Sequence, residues 1–417
     1  MSELSYLEKL LDGVEVEWKP LKDVCDFKNG FAFKSSLFKE TGLPIVRITN
    51  IDGFNVDLDE VKYFSLNDYK EDLSSFEVSM GNILIAMSGA TTGKVGIYKK
   101  GTKCYLNQRV GKFIPKENIL NNNYLYHFLL LNTETIYILA GGGAQPNLSS
   151  NALMSKLLIP IPCPDNPEKS LAIQSEIVRI LDKFTALTAE LTAELNMRKK
   201  QYNYYRDQLL SFDESSVEWK TLLEACDYVD YRGKTPKKTQ SGIFLVTAKN
   251  IRMGYIDYHA SQEFISEEDY AIVMRRGLPK KGDVLITTEA PCGFVAQVNR
   301  ENIALAQRVI KYRSKNTQLS NSFLKHYLLG SQFQDKLMQA ATGSTVKGIN
   351  GSRLHQLKIP IPSKVEQDRI VAILDKFDTL TNSITEGLPR EIELRQKQYE
   401  YYRDLLFSFP KPETVSN

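Results

Sequence analysis

One loop of the sequence combines residue types that suit contact with phosphates or base edges. Residues 87–94 read Met-Ser-Gly-Ala-Thr-Thr-Gly-Lys and follow an apolar run. Hydroxyls, open backbone and a cation are groups that bind nucleic acid. A nucleotide-binding P-loop is excluded, because the interval from Gly89 to Gly93 is one residue too short and Val95 replaces its Ser or Thr. We expect contacts with phosphates or base edges from the loop, with a plain tight turn as the alternative. The candidates are Ser88, Thr91, Thr92 and Lys94.

Further polar residues lie where predicted strands meet loops. Gln and Arg make bidentate contacts with adenine and guanine, and Asn, Lys and Thr contact bases or phosphates. Gln108-Arg109 recurs as Gln307-Arg308, which favours a shared role in phosphate positioning or in a structural hydrogen bond. For the others, the alternative is a solvated strand end or a connecting loop. The further candidates for contact with phosphates or base edges are Arg47, Asn50, Gln108, Arg109, Gln145, Asn147, Lys249, Asn250, Arg252, Thr287, Thr288, Gln307, Arg308 and Lys347.

Catalytic motifs are missing from the sequence. An adenine or cytosine amino-methyltransferase should show an Asn/Asp-Pro-Pro-Tyr/Phe motif and a glycine-rich cofactor loop, and neither occurs. Glu60-Val61-Lys62 is a fragment of a metal-dependent nuclease motif without an upstream partner, and is interpreted as exposed charge. The five cysteines are scattered without a CxxC pair among only four histidines, which disfavours a metal site. The sequence predicts a chain without catalytic residues, metal or cofactor.

Composition indicates a folded chain of more than one domain. A length of 417 residues exceeds what one core usually supports. The hydrophobic fraction of 42% and charged fraction of 25% are ordinary for globular proteins. A net charge of +3 is small for this length, so charge that attracts DNA must be local. No run has the length of a membrane span and the first residues do not resemble a signal peptide, which predicts a cytoplasmic protein without membrane contact.

The second half of the sequence repeats the first. Val-Glu-Trp-Lys at 16–19 returns at 217–220 and contains the only two tryptophans. QYNYYRDQLLSF at 201–212 returns as QYEYYRDLLFSF at 398–409. Between such matches the halves diverge, so one part of each half is common and the other differs.

Each half changes character near its end. Short β-branched runs with Gly and Asn predict strands and loops up to about residue 160. Apolar residues then recur at intervals of three and four from Ile173 to Leu191, which predicts a long helix. In the second copy Gly387-Leu388-Pro389 should kink or interrupt the helix. A pseudo-two-fold repeat would make the two helices antiparallel, and one apolar helical seam needs the other for burial.

These residues resemble Type I restriction-modification specificity subunits. The resemblance rests on the EWKxL openings, the Gly-Asn/Asp-Ile/Val-Leu-Ile runs, Pro-Asn-Leu-Ser, IPIP before ILDKF, and RKxQYxYYRDxLL at the helix ends. It covers essentially the whole chain and implies an α+β fold, with two mixed α/β target-recognition domains separated by two long antiparallel helices as a coiled-coil spacer. The implied segments are recognition domains at 1–165 and 213–362, helical spacers at 166–212 and 363–409, and a tail at 410–417.

The same resemblance implies how the chain works. Each domain would read one half of a split, asymmetric double-stranded DNA target, and the helices would set the spacing. Two methyltransferase subunits and the restriction subunits would be partners and would carry S-adenosylmethionine, ATP and Mg. The helix-end residues Tyr202, Tyr205, Arg206, Tyr399, Tyr402 and Arg403 are assigned to subunit docking or to helix packing. A stand-alone DNA-binding regulator, and a scaffold without a DNA role, are the competing hypotheses.

Overall fold

The protein is described from a computed structural model, which covers residues 10–11, 13–142, 146–231, 236–383 and 385–410. The chain divides into two compact units. Unit 1 comprises residues 1–188 and 395–417, and unit 2 comprises residues 189–394. Each unit contains helices and sheets, so the predicted α+β class and the internal repeat are confirmed.

Unit 1 contains three sheets. Their strands are β1 (Val16–Pro20), β2 (Cys25–Asn29), β3 (Leu43–Val46), β4 (Lys62–Phe64), β5 (Glu77–Val78), β6 (Ile83–Ala86), β7 (Val95–Ile97), β8 (Cys104–Leu106), β9 (Val110–Pro115) and β10 (Leu158–Pro162). One sheet has the order β2-β9-β6-β7 and another the order β4-β3-β8-β5, in which β3 and β8 are parallel. The antiparallel pair β1-β10 joins residues 16–20 to residues 158–162, the first and last strands of unit 1. The apolar strand β6 is buried along its length, as an inner strand should be.

The helices of unit 1 surround these sheets. They are α1 (Leu21–Val24), α2 (Asn122–Leu131), α3 (Thr133–Leu139), α4 (Ser150–Lys156) and the first half of α5 (Pro167–Leu209). Helix α2 begins after Asn121, whose side chain accepts hydrogen bonds from the backbone of Asn123 and Tyr124. The buried Gln174 of α5 accepts a hydrogen bond from Asn121 N at 2.8 Å, which ties α5 to its own domain.

Unit 2 repeats this arrangement. Its strands are β11 (Glu218–Thr221), β12 (Cys226–Asp230), β13 (Lys238–Thr239), β14 (Ile243–Val246), β15 (Phe264–Ile265), β16 (Val284–Thr287), β17 (Val295–Gln297), β18 (Ile303–Leu305), β19 (Val309–Ser314) and β20 (Lys358–Ile361). The sheet orders are β11-β20, β12-β19-β16-β17 and β13-β15-β14-β18. The first two orders match unit 1 strand for strand, and β14 and β18 are parallel like β3 and β8.

The helices of unit 2 are α6 (Leu222–Ala225), α7 (Glu267–Val273), α8 (Asn321–Leu329), α9 (Ser331–Ala340), α10 (Gly351–His355) and α11 (Lys364–Asn382), followed by the start of α12 (Gly387–Leu406). The third sheet is where the units differ: β13 of unit 2 pairs with β15 at one edge, whereas β5 of unit 1 pairs with β8 at the opposite edge. Helix α7 follows β15 in unit 2, where two 3-10 turns follow β4 in the described part of unit 1. The buried Gln367 of α11 accepts from Ser320 N at 2.8 Å, as Gln174 accepts from Asn121 in unit 1.

The core of each unit includes the end of a helix that comes from the other repeat. In unit 1, Leu406 and Phe407 pack with Ile177 and Leu181 of α5. In unit 2, Tyr202 and Leu210 pack with Ile370 and Leu374 of α11. The core of each unit is therefore stabilised by the start of its own repeat's helix and by the end of the other repeat's helix.

The predicted helices form, with a break in the second copy. Helix α5 is continuous over 43 residues. The second helix ends at Asn382 and resumes at Gly387, whose φ of +77° suits glycine. Pro389 lies in the first turn of α12, where its missing N–H leaves no helical hydrogen bond unmade. The predicted interruption is confirmed, and it precedes Gly387.

The predicted segment boundaries stay predictions. They treat the helices as separate spacers, whereas the compact units divide within α5 between residues 188 and 189 and within α12 between residues 394 and 395. The antiparallel arrangement of the two long helices also stays a prediction. None of the described helices is long and apolar enough to cross a membrane.

Candidate nucleic-acid interface

Backbone hydrogen bonds gather the predicted contact residues of unit 1 around residues 87–94. Met87 N donates to Arg109 O at 2.8 Å, and Leu148 N donates to Met87 O at 2.7 Å. The loop is therefore fixed between Arg109 on one side and Asn147 on the other. Gln108, Arg109, Lys94 and Asn147 are exposed.

A second turn completes this surface. The turn at residues 47–50 lies against residues 89–91, and a Cβ at Gly89 would be 3.4 Å from Ile48 Cδ1. We call the resulting group the first loop surface; it consists of Arg47, Ser88, Thr91, Lys94, Gln108, Arg109 and Asn147.

Three polar atoms of the first loop surface lack a hydrogen-bond partner within the described residues. They are Arg47 Nε, Ser88 Oγ and Thr91 Oγ1, and each atom is buried. Buried polar atoms are normally paired, because leaving one unpaired costs free energy. Two hydroxyls and a guanidinium are therefore available to water or to a ligand that enters between the two turns.

Unit 2 has the equivalent main-chain hydrogen bonds at this loop but carries different side chains on it. Thr288 N donates to Arg308 O at 2.9 Å, and Ile349 N donates to Thr288 O at 2.9 Å. These bonds correspond to those of Met87 in unit 1. The second loop surface consists of Thr288, Glu289, Gln307, Arg308 and Lys347, while Lys249 and Arg252 lie in the segment that follows β14. Glu289 was not among the predicted residues, and its carboxylate is 2.6 Å from Arg308 Nε.

Exposure differs among the candidate residues of unit 2. Lys249, Arg308 and Lys347 are exposed, whereas Thr288 and Gln307 are half-buried. Arg252 is half-buried, with Nε 3.7 Å from Asp257. The candidate Gln145 lies outside the described residues.

Two predicted contact residues are structural asparagines. The side chain of Asn250 is fully buried; its Oδ1 accepts from Thr247 N at 2.9 Å and its Nδ2 donates to Asp257 O and Ser261 O at 2.9 and 2.8 Å. Asn50 is 5% exposed and accepts from Arg47 N at 2.9 Å. Both side chains close a turn, so we withdraw Asn50 and Asn250 from the interface.

Two predicted threonines are also structural. Thr92 is buried, and its hydroxyl donates to Gly89 O at 2.7 Å, with Pro146 O 3.1 Å away. Thr287 is fully buried, and its Oγ1 accepts from Phe294 N at 2.9 Å. These hydroxyls hold the loops in shape and cannot reach a groove, which corrects their assignment as DNA contacts.

The candidate docking residues separate into buried and exposed pairs. Tyr399 and Tyr202 are buried, at 2.9 Å from His127 Nδ1 and 3.5 Å from His326 Nδ1 respectively, so they serve helix packing within this chain. Tyr402 and Tyr205 are about two-fifths exposed and stack on Phe184 and Phe377.

Each arginine of the candidate docking set lies over the ring of a buried tyrosine. The guanidinium of Arg403 lies 5.6 Å from the ring centroid of Tyr399, and that of Arg206 lies 5.4 Å from the ring of Tyr202. Both arginines are half-buried. Each arginine also lies beside an aspartate of the same helix, with Arg403 Nη2 3.0 Å from Asp404 and Arg206 Nε 3.6 Å from Asp207.

Sequence analysis missed the two histidines at these junctions. His127 Nε2 is 2.8 Å from Asp182, and His326 Nε2 is 2.7 Å from Asp375. Burial lowers the pKa of His326, and the hydrogen bond from His326 lowers the pKa of Asp375. Their equivalent places in the repeat, in a chain of four histidines, would have identified them.

Comparisons with known proteins agree with this duplicated architecture. The family model for the Type I restriction modification DNA specificity domain matches residues 13–198 and 219–394. The Type I restriction enzyme EcoR124I/EcoR124II specificity subunit of Escherichia coli is 44% identical over 439 residues, covering 100% of both chains. A putative Type I restriction enzyme specificity subunit of Haemophilus influenzae is 34% identical, covering 97% of this chain and 98% of that protein.

A solved structure has the same fold. The crystal structure of the Type I restriction-modification S subunit from Mycoplasma genitalium matches with a TM-score of 0.55 at 17% identity, over 96% of this chain and 98% of that chain. Two matched specificity domains and a relative identical at 44% of positions establish the family. The chain belongs to the Type I restriction-modification specificity subunits.

Proposed function

We propose that each unit of this chain reads one half of an asymmetric, bipartite double-stranded DNA target. The observation that carries this proposal is a shared backbone frame that presents different side chains. Main-chain bonds at Met87 and Thr288 are equivalent, while Ser88 and Glu289 beside them are chemically unlike. Because sequence is read by side chains at base edges, two frames with unlike side chains favour unlike half-sites.

The long helices would set the distance between half-sites. Helix α5 has 43 residues, and at 1.5 Å per residue it is about 65 Å long. Half-sites read on one face of DNA are about 34 to 36 Å apart, a separation that a helix of this length can span. A change in helix length should therefore change the number of unread base pairs.

Two methyltransferase subunits would dock on the exposed helix ends. Tyr205 and Tyr402 expose aromatic area beside Arg206 and Arg403, the combination enriched where proteins bind each other. The restriction subunits would join this complex. S-adenosylmethionine, ATP and Mg would be bound by those partners, and the cytoplasm, where DNA is accessible, is the expected location.

In this role the chain recognises the DNA target, and its partner subunits catalyse methylation and restriction. Its relatives are named specificity subunits. Across the described ranges, no group of three or more His, Cys, Asp or Glu side chains is arranged to hold a metal ion. The chain would direct adenine methylation, and restriction, to the sequence that it binds.

Methylation mapping tests the proposal. DNA from cells carrying the chain with its methyltransferase subunit would be compared by single-molecule sequencing with DNA from cells lacking the chain. An asymmetric bipartite motif with methyladenine in both halves is expected. A competent methyltransferase that modifies no motif in a chain-dependent manner would overturn the proposal.

A helix insertion separates this role from that of a stand-alone regulator or scaffold. Four extra residues at the centre of α5 would lengthen it by about 6 Å. The motif should keep both half-sites and gain about one or two unread base pairs, because one base pair adds about 3.4 Å. A regulator without methyltransferase partners predicts no methylation at all, and a scaffold predicts no salt-dependent DNA affinity.

A further inference from the structure

Ser88 and Glu289 occupy the same place in the two units. Each forms an isolated antiparallel bridge with the segment before the last helix of its domain, Ser88 with Asn147 and Glu289 with Gly348. Each follows the residue whose N–H donates to Arg109 O or Arg308 O. One position of the frame thus presents a hydroxyl in unit 1 and a carboxylate in unit 2.

The Glu289 carboxylate forms an exposed pair with Arg308. Glu289 Oε1 is 2.6 Å from Arg308 Nε, and the two side chains are 46% and 57% exposed. Because the contact with the carboxylate is at Nε, the terminal Nη groups of Arg308 keep donors for a further partner. The second carboxylate oxygen of Glu289 can likewise accept another hydrogen bond.

The backbone of Arg308 argues against a purely stabilising role for this pair. Its φ is +71°, a conformation that side-chain-bearing residues rarely adopt. An exposed ion pair contributes little to stability and does not offset such strain. Strained residues of this kind recur where a side chain must be aimed at a ligand.

A carboxylate facing DNA repels the phosphates unless it meets a hydrogen-bond donor. In the major groove the donors are amino groups, and cytosine N4 is the usual partner of Glu. Guanine O6 and N7, on the other strand of the same pair, are the usual partners of Arg. An adjacent Glu and Arg thus match both edges of a G·C pair, and Arg308 compensates the charge of Glu289 as the loop approaches.

We propose that Glu289 and Arg308 together read a G·C base pair in the half-site bound by unit 2. Arg308 donates from its Nη groups to guanine, and Glu289 accepts from the cytosine amino group. Ser88 cannot make this discrimination in unit 1. The inference rests on the proposed function, because it assigns one base pair within the half-site of unit 2.

Two substitutions of Glu289 test this inference in the full complex. Glu289→Gln removes the charge at nearly constant shape, and Glu289→Ser introduces the residue that unit 1 accommodates here. Glu366→Gln is the matched control, because it removes an exposed Arg369–Glu366 pair with an N–O distance of 2.7 Å on α11. Methylated motifs of all four proteins are mapped by single-molecule sequencing, with DNA affinity measured on the wild-type target and on targets altered at each G·C pair.

The wild-type protein and Glu366→Gln should give the same motif. Both Glu289 variants should lose preference at one G·C pair of one half-site, by roughly 5- to 150-fold, the range for one good base contact. The other half-site should be unchanged. An unchanged motif in both variants overturns the inference while the wild-type motif upholds the proposed function.

Uniform loss of affinity for all targets, with unchanged thermal unfolding, would also overturn the inference, because the pair would then serve general binding. If one variant fails to fold, the other decides between these outcomes. A wild-type complex that methylates no bipartite motif would overturn the proposed function, and this inference with it.

Discussion

The two loop surfaces lie on equivalent backbones and differ in charge. In the first, Arg109 and Lys94 are exposed and no carboxylate pairs with them in the described part of unit 1. In the second, Glu289 pairs with Arg308 at 2.6 Å. The main-chain bonds at Met87 and Thr288 are the same. The two units thus share the main-chain hydrogen bonds that shape these loops and differ in the side chains that the loops carry.

The hydrogen bonds of equivalent side chains differ in length between the units, both at the turns closed by Asn50 and Asn250 and at the tyrosine–histidine contacts of the helix ends. Asn250 is satisfied on both side-chain atoms at 2.8 to 2.9 Å, whereas the amide of Asn50 is 3.5 Å from Glu60 O. At the junctions the order is reversed, since Tyr399 is 2.9 Å from its histidine and Tyr202 is 3.5 Å from its own. Equivalent sites in the repeat therefore need not contribute equally.

The largest expected difference concerns the turn asparagines. Asn250→Ala should lower the free energy of unfolding of unit 2 by about 3 kcal/mol, because buried backbone groups lose their partners, and Asn50→Ala should cost unit 1 about 1 kcal/mol. Urea unfolding monitored by fluorescence measures each unit separately in Trp18→Phe and Trp219→Phe backgrounds, since the chain has two tryptophans. The exposed neighbour Lys249→Ala is the control without an expected stability loss. Equal losses at both asparagines would contradict this comparison.

The junction tyrosines should show the opposite ranking. Tyr399→Phe leaves a buried nitrogen of His127 without its 2.9 Å partner and should cost about 2 kcal/mol. Tyr202→Phe removes only a 3.5 Å contact and should cost about 0.5 kcal/mol or less. The same unfolding measurement applies, and Tyr204→Phe, on the exposed face of α5, is the control. A greater loss of unfolding free energy for Tyr202→Phe would show that the tyrosine–histidine distances do not predict the contributions of these contacts to stability.

The arginines of the two loop surfaces should differ in the salt dependence of DNA binding. Arg109→Ala should reduce the slope of log affinity against log salt by about 0.9, the value for one phosphate contact. Arg308→Ala should change that slope less, because Glu289 already compensates its charge. Binding of the complex to its target between about 50 and 200 mM salt measures both slopes. Equal slope changes would show that Glu289 does not shield Arg308.

A pH dependence of stability is expected in unit 2. Burial lowers the pKa of His326 below its ordinary value of 6.5, so the unfolded chain binds more protons than the folded chain just below that pH. Stability should fall as pH decreases from about 6.5, by at most about 1.4 kcal/mol per pH unit. Lys325, Asp375 and Asp378 face His326 and also act on its titration.

His326→Gln should flatten this dependence, whereas the exposed His259→Gln should preserve it. Urea unfolding of unit 2 at several values between about pH 5 and pH 7 avoids the titration of Asp375, whose lowered pKa lies under its ordinary 3.8. A slope unaffected by His326→Gln would assign the dependence to another group.

Some features of the fold and of the candidate interface were predictable from the sequence, and others were not. The repeat, the long helix and the interruption near Gly387 were predictable, because they depend on local periodicity and on glycine and proline chemistry. Gln108-Arg109 lies between β8 and β9 and Gln307-Arg308 between β18 and β19, and their contact with DNA stays a prediction. The errors were Asn50, Asn250, Thr92 and Thr287, which have polar side chains yet are buried.

Those errors have one physical cause. A polar residue at a strand end is interpreted from sequence as exposed, because the segment that covers it is not adjacent in the chain. Thr92 is bonded to Pro146, which is 54 residues away, and Tyr399 to His127, which is 272 residues away. The pairing of Glu289 with Arg308 also depends on loop closure that no local pattern encodes.

By itself the sequence determined the duplication and the position of the long helices, because periodic apolar spacing and repeated motifs express these within a few residues of each other. The α+β class was implied by the resemblance to Type I specificity subunits. Only the tertiary structure decided which polar side chains are buried and hydrogen-bonded within the loops and which remain exposed. That division depends on burial and on hydrogen bonds between segments far apart in the chain, and these exist only after the sheets have assembled.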